Sequence, residues 1–358
     1  LIYTQSLAGV SALFAYHLID RVAGWTFTDW GGSSATLTQV VISILILLPT
    51  ATFIGATFPL ATRIFARDQS EAATSSARVY FFNVLGGIAG ALMTGIFLLP
   101  SQGYQGAAIT AILLNACLGF GLAWVMRARP IHFVVAVSVI VLLVCLPPVM
   151  PDRVMRASVL NPEATKGELI FSRVGRSGTV ALFDQQGDTR FMTNGLPEAI
   201  VAQRGIEVSP FAASGAWLSA LPPLLRPDCD SMLIIGLGGG VAAAYVPPSI
   251  NEIDVFELEP AVVEANRFIR DRRNRDPLAD ERLKIILNDG RNGLALTSKK
   301  YDAIVSQPSH PWTAGASHLY TREFAEMVAK RLKRGGIFLQ WMNTGFIDPD
   351  LFRSLAAT

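Results

Sequence analysis

Met232–Glu257 reads MLIIGLGGGVAAAYVPPSINEIDVFE: an apolar run, a cluster of glycines, and a second apolar run ending on an acid. Apolar Met232–Ile235 predicts a fully buried strand. Gly236, Gly238, Gly239 and Gly240 follow it, and residues without a Cβ let a chain turn sharply and approach a ligand closely. Glu257 stands 21 residues after Gly236 at the tip of the second strand, where a carboxylate can accept two hydrogen bonds from ribose hydroxyls. The spacing also discriminates among ligands. A dinucleotide fingerprint G-x-G-x-x-G wants glycine at position 241, which is Val241. The third glycine comes one residue early, in the G-x-G-x-G pattern more typical of S-adenosyl sulfonium sites. A glycine turn with no ligand is the plain alternative.

Downstream of this stretch the apolar pattern alternates between strand and helix. Strands are predicted near 232–236, 252–257, 283–287, 301–306 and 336–341, and helices near 240–246, 260–273, 291–297 and 320–333. Alternation of this kind implies a parallel, doubly wound sheet with its ligand at the carboxyl ends of the strands. Three loops converge there: 236–240, 257–259 and Asn288-Asp289-Gly290. Asp289 can accept a hydrogen bond from an adenine amino group or cap the helix that starts at Arg291, and both roles can hold at once. The arginine-rich run 267–275 reads as a solvated helix end, with phosphate binding as the alternative. The loop after the fourth strand, 306–315, is polar and stiffened by proline. In it His310, like His318 further on, is a candidate general base near neutral pH or a loop histidine bonded to backbone. Trp312 can wall a substrate or plug the loop. Upstream, short strands at 169–174, 179–183 and 190–192, separated by turn signals, predict a small β-domain, and 217–225 reads as a helix leading into the first strand of the sheet.

The first 150 residues differ in kind. They hold only ten charged side chains, six Arg and four Asp or Glu, whereas residues 151–358 carry 24 basic and 24 acidic ones. Five stretches, roughly 2–19, 38–60, 79–99, 105–126 and 131–149, have the length and apolarity of membrane spans or nearly so. In the third, Gly87, Ala91 and Gly95 recur every four residues beside Gly86 and Gly90, a stripe that predicts a helix packed inside the bundle. Asn83 and Asn115 fall at membrane depth, where they serve interhelical hydrogen bonds or a transport pathway. Arg63, Arg67 and Arg78 share a side with Arg127 and Arg129, which the positive-inside rule assigns to the cytoplasm. Counting crossings then sends everything after residue 150 outside, although an adenosyl donor is cytosolic. Further helices before Leu1, or a last segment that does not cross, would reconcile the two.

The expected organisation is therefore a transmembrane helical bundle at 1–150, a small β-domain at 151–210, and a Rossmann-like α/β sheet of the S-adenosylmethionine type at 211–358. At 358 residues and net charge +2, with the second half neutral, nucleic acid is not implied as a partner, while the lipid bilayer is. Cys117, Cys145 and Cys229 form no C-x-x-C, and the four histidines show no ligand spacing, so neither a disulfide framework nor a metal site is expected. Leu1 opens inside an apolar run and Thr358 closely follows a helix start at Asp348-Pro349-Asp350, so both ends read as cut.

The residues now in view resemble the spermidine synthase-like family, in particular its membrane-fused branch. Arg78-Val79-Tyr80 with Asn83, Gly86-Gly87 and Gly90-Ala91 is similar to that branch's membrane motif. Phe191–Glu198 resembles the strand and loop entering the active site. The glycine turn, Glu257, Asp289-Gly290, Tyr301-Asp302 and Tyr320-Thr321-Arg322-Glu323-Phe324 follow the catalytic domain in order. The resemblance implies a membrane-bound transferase, in the inner membrane with its catalytic domain cytoplasmic, using decarboxylated S-adenosylmethionine or S-adenosylmethionine. Gly236, Gly238, Gly240, Glu257, Asp289 and Gly290 would hold the nucleoside. Gln307 and His310 would face a small-molecule amine or other nucleophilic acceptor, and a homo-oligomer is compatible with the family. The chain departs from the pattern at the reacting centre: the catalytic aspartate falls on Gln307, the acid of the glycine turn on Gly239, and a second loop acid on His310. Glutamine orients an amine through its carbonyl but takes no proton at neutral pH. Methyl transfer, nucleoside or amine sensing without catalysis, and transport are the alternatives.

Overall fold

A computed structural model describes residues 1–26, 33–66, 68, 70–156, 162–206, 214–311, 313, 315–342 and 348–357. By internal contact the chain separates into Leu1–Pro162 and Glu163–Thr358.

The first unit is helical: α1 (Ile2–Thr26), α2 (Ser33–Phe65), α3 (Ala72–Met93), α4 (Leu99–Val125), α5 (Pro130–Cys145) and the short α6 (Asp152–Arg156). A π-helical turn, Thr94–Leu98, links α3 to α4, and Gly103 at φ 67° breaks the helical path just beyond it. Leu13, Ile112, Ala116, Val139 and Leu143 form a small core among α1, α4 and α5. Close approach depends on small residues there: a Cβ at Gly9 would lie 3.0 Å from Val139 Cγ1. All five apolar stretches are helical, the fifth only as far as Cys145. Among the described residues, Leu37–Phe65 and Ala72–Val125 are long and apolar enough to cross a membrane, whereas α5 has 16 residues. The glycine stripe of α3 faces outward rather than into a bundle. A Cβ at Gly86, Gly87, Gly90 or Gly95 would meet nothing within 4 Å. Asn115 Nδ2 donates to Ala111 O of its own helix at 2.9 Å, so it makes an intrahelical bond.

The second unit opens with an antiparallel meander, β1 (Glu168–Val174), β2 (Thr179–Gln185), β3 (Asp188–Thr193) and β4 (Leu196–Ala202), in that spatial order. The sequence pattern predicts the first three of these strands. The fourth carries Pro197, tolerated because β4 is an edge. Helix α7 (Ser214–Leu225) then leads to the parallel sheet of β5 (Ser231–Ile235), β6 (Glu252–Glu257), β7 (Leu283–Leu287), β8 (Tyr301–Ser306) and β9 (Leu332–Gln340). Their order is β7-β6-β5-β8-β9, all parallel, so the chain reverses direction across the sheet between β5 and β8. All five residues of β5 are buried, as a central strand covered on both faces requires. Helices α8 (Val241–Ala244), α9 (Pro260–Phe268), α10 (Gly290–Leu296) and α11 (Arg322–Arg331) cover it, and α12 (Pro349–Ala356) follows. Val180, Leu182, Phe191 and Val201 of the meander share one core with Met232, Ile234, Val255 and Val263. The meander therefore belongs to the same body as the sheet, and its fourth strand reaches the glycine turn.

Candidate functional site

The carboxyl ends of β5, β6 and β8 bring the predicted residues together. Gly236, Gly238 and Gly240 have φ of 89°, 52° and 72°, a left-handed path that L side chains rarely adopt. This turn is held from three directions. Glu257, at the end of β6, is 6% exposed; its Oε2 accepts from Leu237 N at 2.7 Å and its Oε1 from Glu259 N at 2.8 Å. Gln307 Nε2 donates to Gly236 O at 2.6 Å. Asn266 Nδ2, on α9, donates to Gly238 O at 2.8 Å, and buried Arg273 in turn donates to Asn266 Oδ1 at 2.8 Å. The charged run 267–275 reads in sequence as a solvated helix end, yet Arg273 within it is buried. Its burial, which lowers its pKa to about 10, makes it a prop beneath the turn.

Glu257 has more acceptor capacity than the backbone uses. A carboxylate offers about four lone-pair sites; Leu237 N and Glu259 N take one on each oxygen, and Gly238 N–H adds a third backbone donor. A diol can take what remains. Burial raises the pKa of Glu257, against the backbone N–H groups of Glu259, Leu237 and Gly238, which favour the ionised form. Among the described residues no Lys or Arg forms an ion pair with it.

Asp289 caps α10, its side chain accepting from Asn292 N at 2.9 Å. Gly290 lies against β5 so closely that a Cβ would overlap Ile235 Cγ2, which brings the third loop onto the first strand. Glu259 has a different employment: it accepts from Ser177 N at 2.9 Å and Ser177 Oγ at 2.7 Å, tying the first meander turn to the start of α9. Gly239 is crowded. A Cβ there would stand 2.7 Å from Ala199 Cβ and 2.9 Å from Val201 Cγ2, so β4 fills the space an acid would need.

In the loop after β8, His310 is buried, and desolvation holds its pKa below the ordinary imidazole value, leaving it neutral at pH 7. Trp312 lies outside the described residues. The sequence did not single out Glu198, Ser309 or Tyr320 as site residues. Ser309 Oγ donates to Glu198 Oε1 at 2.6 Å, and Tyr320 OH lies 3.0 Å from Ser309 O. Burial raises the pKa of Glu198 to about 7; the Ser309 hydroxyl opposes this and the nearby Glu257 charge adds to it. A signal was present: an acid inside an otherwise apolar strand, Leu196–Ala202.

Residues 216–358 match the spermine/spermidine synthase domain. This part of the chain is spermidine synthase-like. A polyamine aminopropyltransferase of Mycobacterium tuberculosis is 25% identical over 326 residues, 85% of this chain and 59% of its own length. That extent carries the likeness into the helical unit. One from Corynebacterium efficiens is 25% identical over 352 residues, 92% of this chain and 66% of the relative. One from Serratia proteamaculans is 31% identical over 135 residues, 37% of this chain and 47% of the relative. The chain thus spans less than two thirds of the length of the Mycobacterium tuberculosis protein. A spermidine synthase structure from Thermotoga maritima has a TM-score of 0.45 at 24% identity, covering 52% of this chain and 61% of that one.

Proposed function

We propose that the chain is a membrane-anchored transferase that uses an S-adenosyl sulfonium donor and delivers its aminopropyl group to a small amine. The observation that carries the reading is Glu257. It is a buried carboxylate at the tip of β6, fixed by Leu237 N and Glu259 N, with acceptor capacity to spare beside a left-handed glycine turn. The likeness to polyamine aminopropyltransferases supports the group transferred. Gly236, Gly238 and Gly240 let the backbone approach the nucleoside, and Asp289 with Gly290 closes its adenine side. Gln307 orients the acceptor through its carbonyl while its amide nitrogen holds Gly236.

One feature of the helical unit supports lipid as its surroundings, and a second bears on its orientation. In the apolar stretch Leu37–Phe65 almost every residue of the most apolar 18-residue window is uncovered, whereas a core helix of a soluble protein would be mostly covered. Helix α5, at 16 residues, spans about 24 Å, short of a bilayer's apolar thickness of roughly 30 Å. A last segment that does not cross would keep the catalytic sheet on the arginine-rich, cytoplasmic side.

One observation favours a second reading. The crowding of Gly239 by Ala199 and Val201 leaves no room for an acid to hold a donor's ammonium group, which suits ordinary S-adenosylmethionine and methyl transfer. Calorimetry on the full chain in detergent with decarboxylated S-adenosylmethionine, S-adenosylmethionine and methylthioadenosine decides between them. Tighter binding of the decarboxylated donor is expected. Preference for S-adenosylmethionine would favour methyl transfer, and no heat with any of the three would end both readings.

A further inference from the structure

The reaction needs a proton acceptor that Gln307 cannot supply. An amine held as ammonium has no lone pair, so a carboxylate must take a proton before nitrogen attacks. The predicted position holds an amide committed to Gly236 O, and the acid position of the glycine turn holds a crowded glycine.

A carboxylate does stand beside this loop, and the fold aims it there by a specific device. In the β3–β4 ladder Phe191 pairs with Ala199 and Met192 with Pro197, so Glu198 is the extra residue of a β-bulge. Bulges turn a side chain out of the strand's alternation, and they concentrate beside active sites. Ala199 and Val201 press on Gly239, while Glu198 turns to Ser309, two residues beyond Gln307. Ser309 is fixed in turn, since its carbonyl lies 3.0 Å from Tyr320 OH, whose oxygen is also 3.2 Å from Trp341 O. The groups facing Glu198 are thus the Ser309 hydroxyl from the loop after β8, the Tyr320 phenol ahead of α11, and the Glu257 carboxylate at the end of β6. Among the described residues no Lys or Arg pairs with it, and a cationic amine would complete the site.

We propose that Glu198 is the catalytic base of this site, taking the acceptor amine's proton in place of the aspartate that Gln307 replaces. The proposal rests on the transferase reading above. An acceptor ammonium R–NH3+ gives a proton to the Glu198 carboxylate. The freed nitrogen lone pair then forms the N–C bond at the carbon next to sulfur. The C–S bond breaks, its electron pair goes to sulfur, and a neutral thioether leaves. Ser309 positions one carboxylate oxygen and leaves the other for the proton. A base with a pKa of about 7 is matched to work near neutrality.

The test uses the full chain in detergent with 1,4-diaminobutane and the decarboxylated donor. Glu198→Gln is expected to keep donor affinity within threefold and lose about 100-fold or more in kcat. The acid limb of the pH–rate profile should vanish with it, and Glu198→Asp should restore part of the rate. Unchanged rate and pH profile in Glu198→Gln, in a chain that transfers, would overturn the proposal and leave the transferase reading standing. If the wild type binds no donor, that reading fails, and infrared difference spectra of wild type minus Glu198→Gln decide the residue alone. A carboxyl band titrating near pH 7 and shifted by the diamine supports an amine-facing base, and a band indifferent to the diamine overturns it.

Discussion

The two ends of the parallel sheet treat their acids in opposite ways. At the amino end Asp302, at the start of β8 and 4% exposed, pairs with Lys333 Nζ at 2.7 Å and lies 3.4 Å from Arg226, and it accepts from Ser231 Oγ at 2.8 Å. Burial alone would raise its pKa, but the Lys333 ammonium and the Ser231 and Asp230 donors bring it to about 2. Asp254 is similarly tied, to Lys299 Nζ and Tyr301 OH, each at 2.7 Å. At the carboxyl end Glu257 and, beside it, Glu198 of the meander have raised pKa values, and among the described residues no Lys or Arg forms an ion pair with either. Paired acids hold the sheet; unpaired ones are the arrangement a cationic or polar ligand completes. The Tyr301-Asp302 pair, which in sequence marks the resemblance to the family's catalytic domain, is tied into these ion pairs and hydrogen bonds and serves stability.

The widest break in this comparison is at Glu257. Glu257→Ala removes the acceptor for Leu237 N and Glu259 N as well as the ribose partner, so nucleoside binding is expected to fall by more than about 100-fold, several charge-assisted hydrogen bonds being lost together. Calorimetric affinity within a few-fold of wild type would remove Glu257 from the site.

Asp302 tests the other end. Its folded pKa lies below the ordinary carboxylate value of about 4, so the stability it contributes is complete above about pH 4 and is lost as pH falls toward about 2. The shift corresponds to about 2 kcal/mol at neutral pH. Asp302→Asn should cost a similar amount in denaturant melts at pH 7 and flatten the acid transition. Glu198 carries the opposite sign. Its raised pKa favours the fold at low pH and opposes it as pH rises through about 7, so Glu198→Gln should stabilise the chain at pH 8. Equal destabilisation by both substitutions would erase the contrast.

A smaller effect is expected where intuition suggests a gain. Gln307→Asp installs the aspartate that the resemblance implies at this position, yet an ionised carboxylate, one methylene shorter than the glutamine amide, cannot donate to Gly236 O. The turn should loosen and donor affinity drop about tenfold, the worth of roughly one hydrogen bond. Tighter binding or faster transfer would show that Gln307 is a defect of the site rather than part of its frame.

How much of this was legible in advance follows from range. The β5 run, the glycine turn and Glu257 are local patterns, and all five strands of the sheet fell where apolar periodicity placed them. The carboxyl-end location of the site followed from strand order. What was missed depends on partners distant in sequence. Glu198 meets Ser309 across 111 residues and gains its direction from a bulge, which is a property of a ladder and not of a strand. Arg273 looked solvated because its neighbours are charged, but Asn266 and the back of the glycine turn bury it. The α3 stripe promised close helix packing, and its outward face shows that a small-residue pattern records the possibility of approach without supplying the neighbour.

The finest adjustment lies at Ser309, which holds Glu198 below the pKa that burial and Glu257 would impose. Ser309→Ala removes only the hydroxyl. The bond to Tyr320 survives, because its acceptor is the backbone carbonyl of residue 309. With a donor to the ionised form lost, the Glu198 pKa should rise above about 7, and the acid limb of the pH–rate profile should move upward with it. Near pH 7 the rate should fall a few-fold, whereas well above the new pKa it should return to wild type, because the base remains in place and merely needs less acid around it. A uniform loss at every pH would instead mean that Ser309 positions Glu198 more than it tunes it. An unchanged profile would break the link between this hydroxyl and the proton the reaction must move.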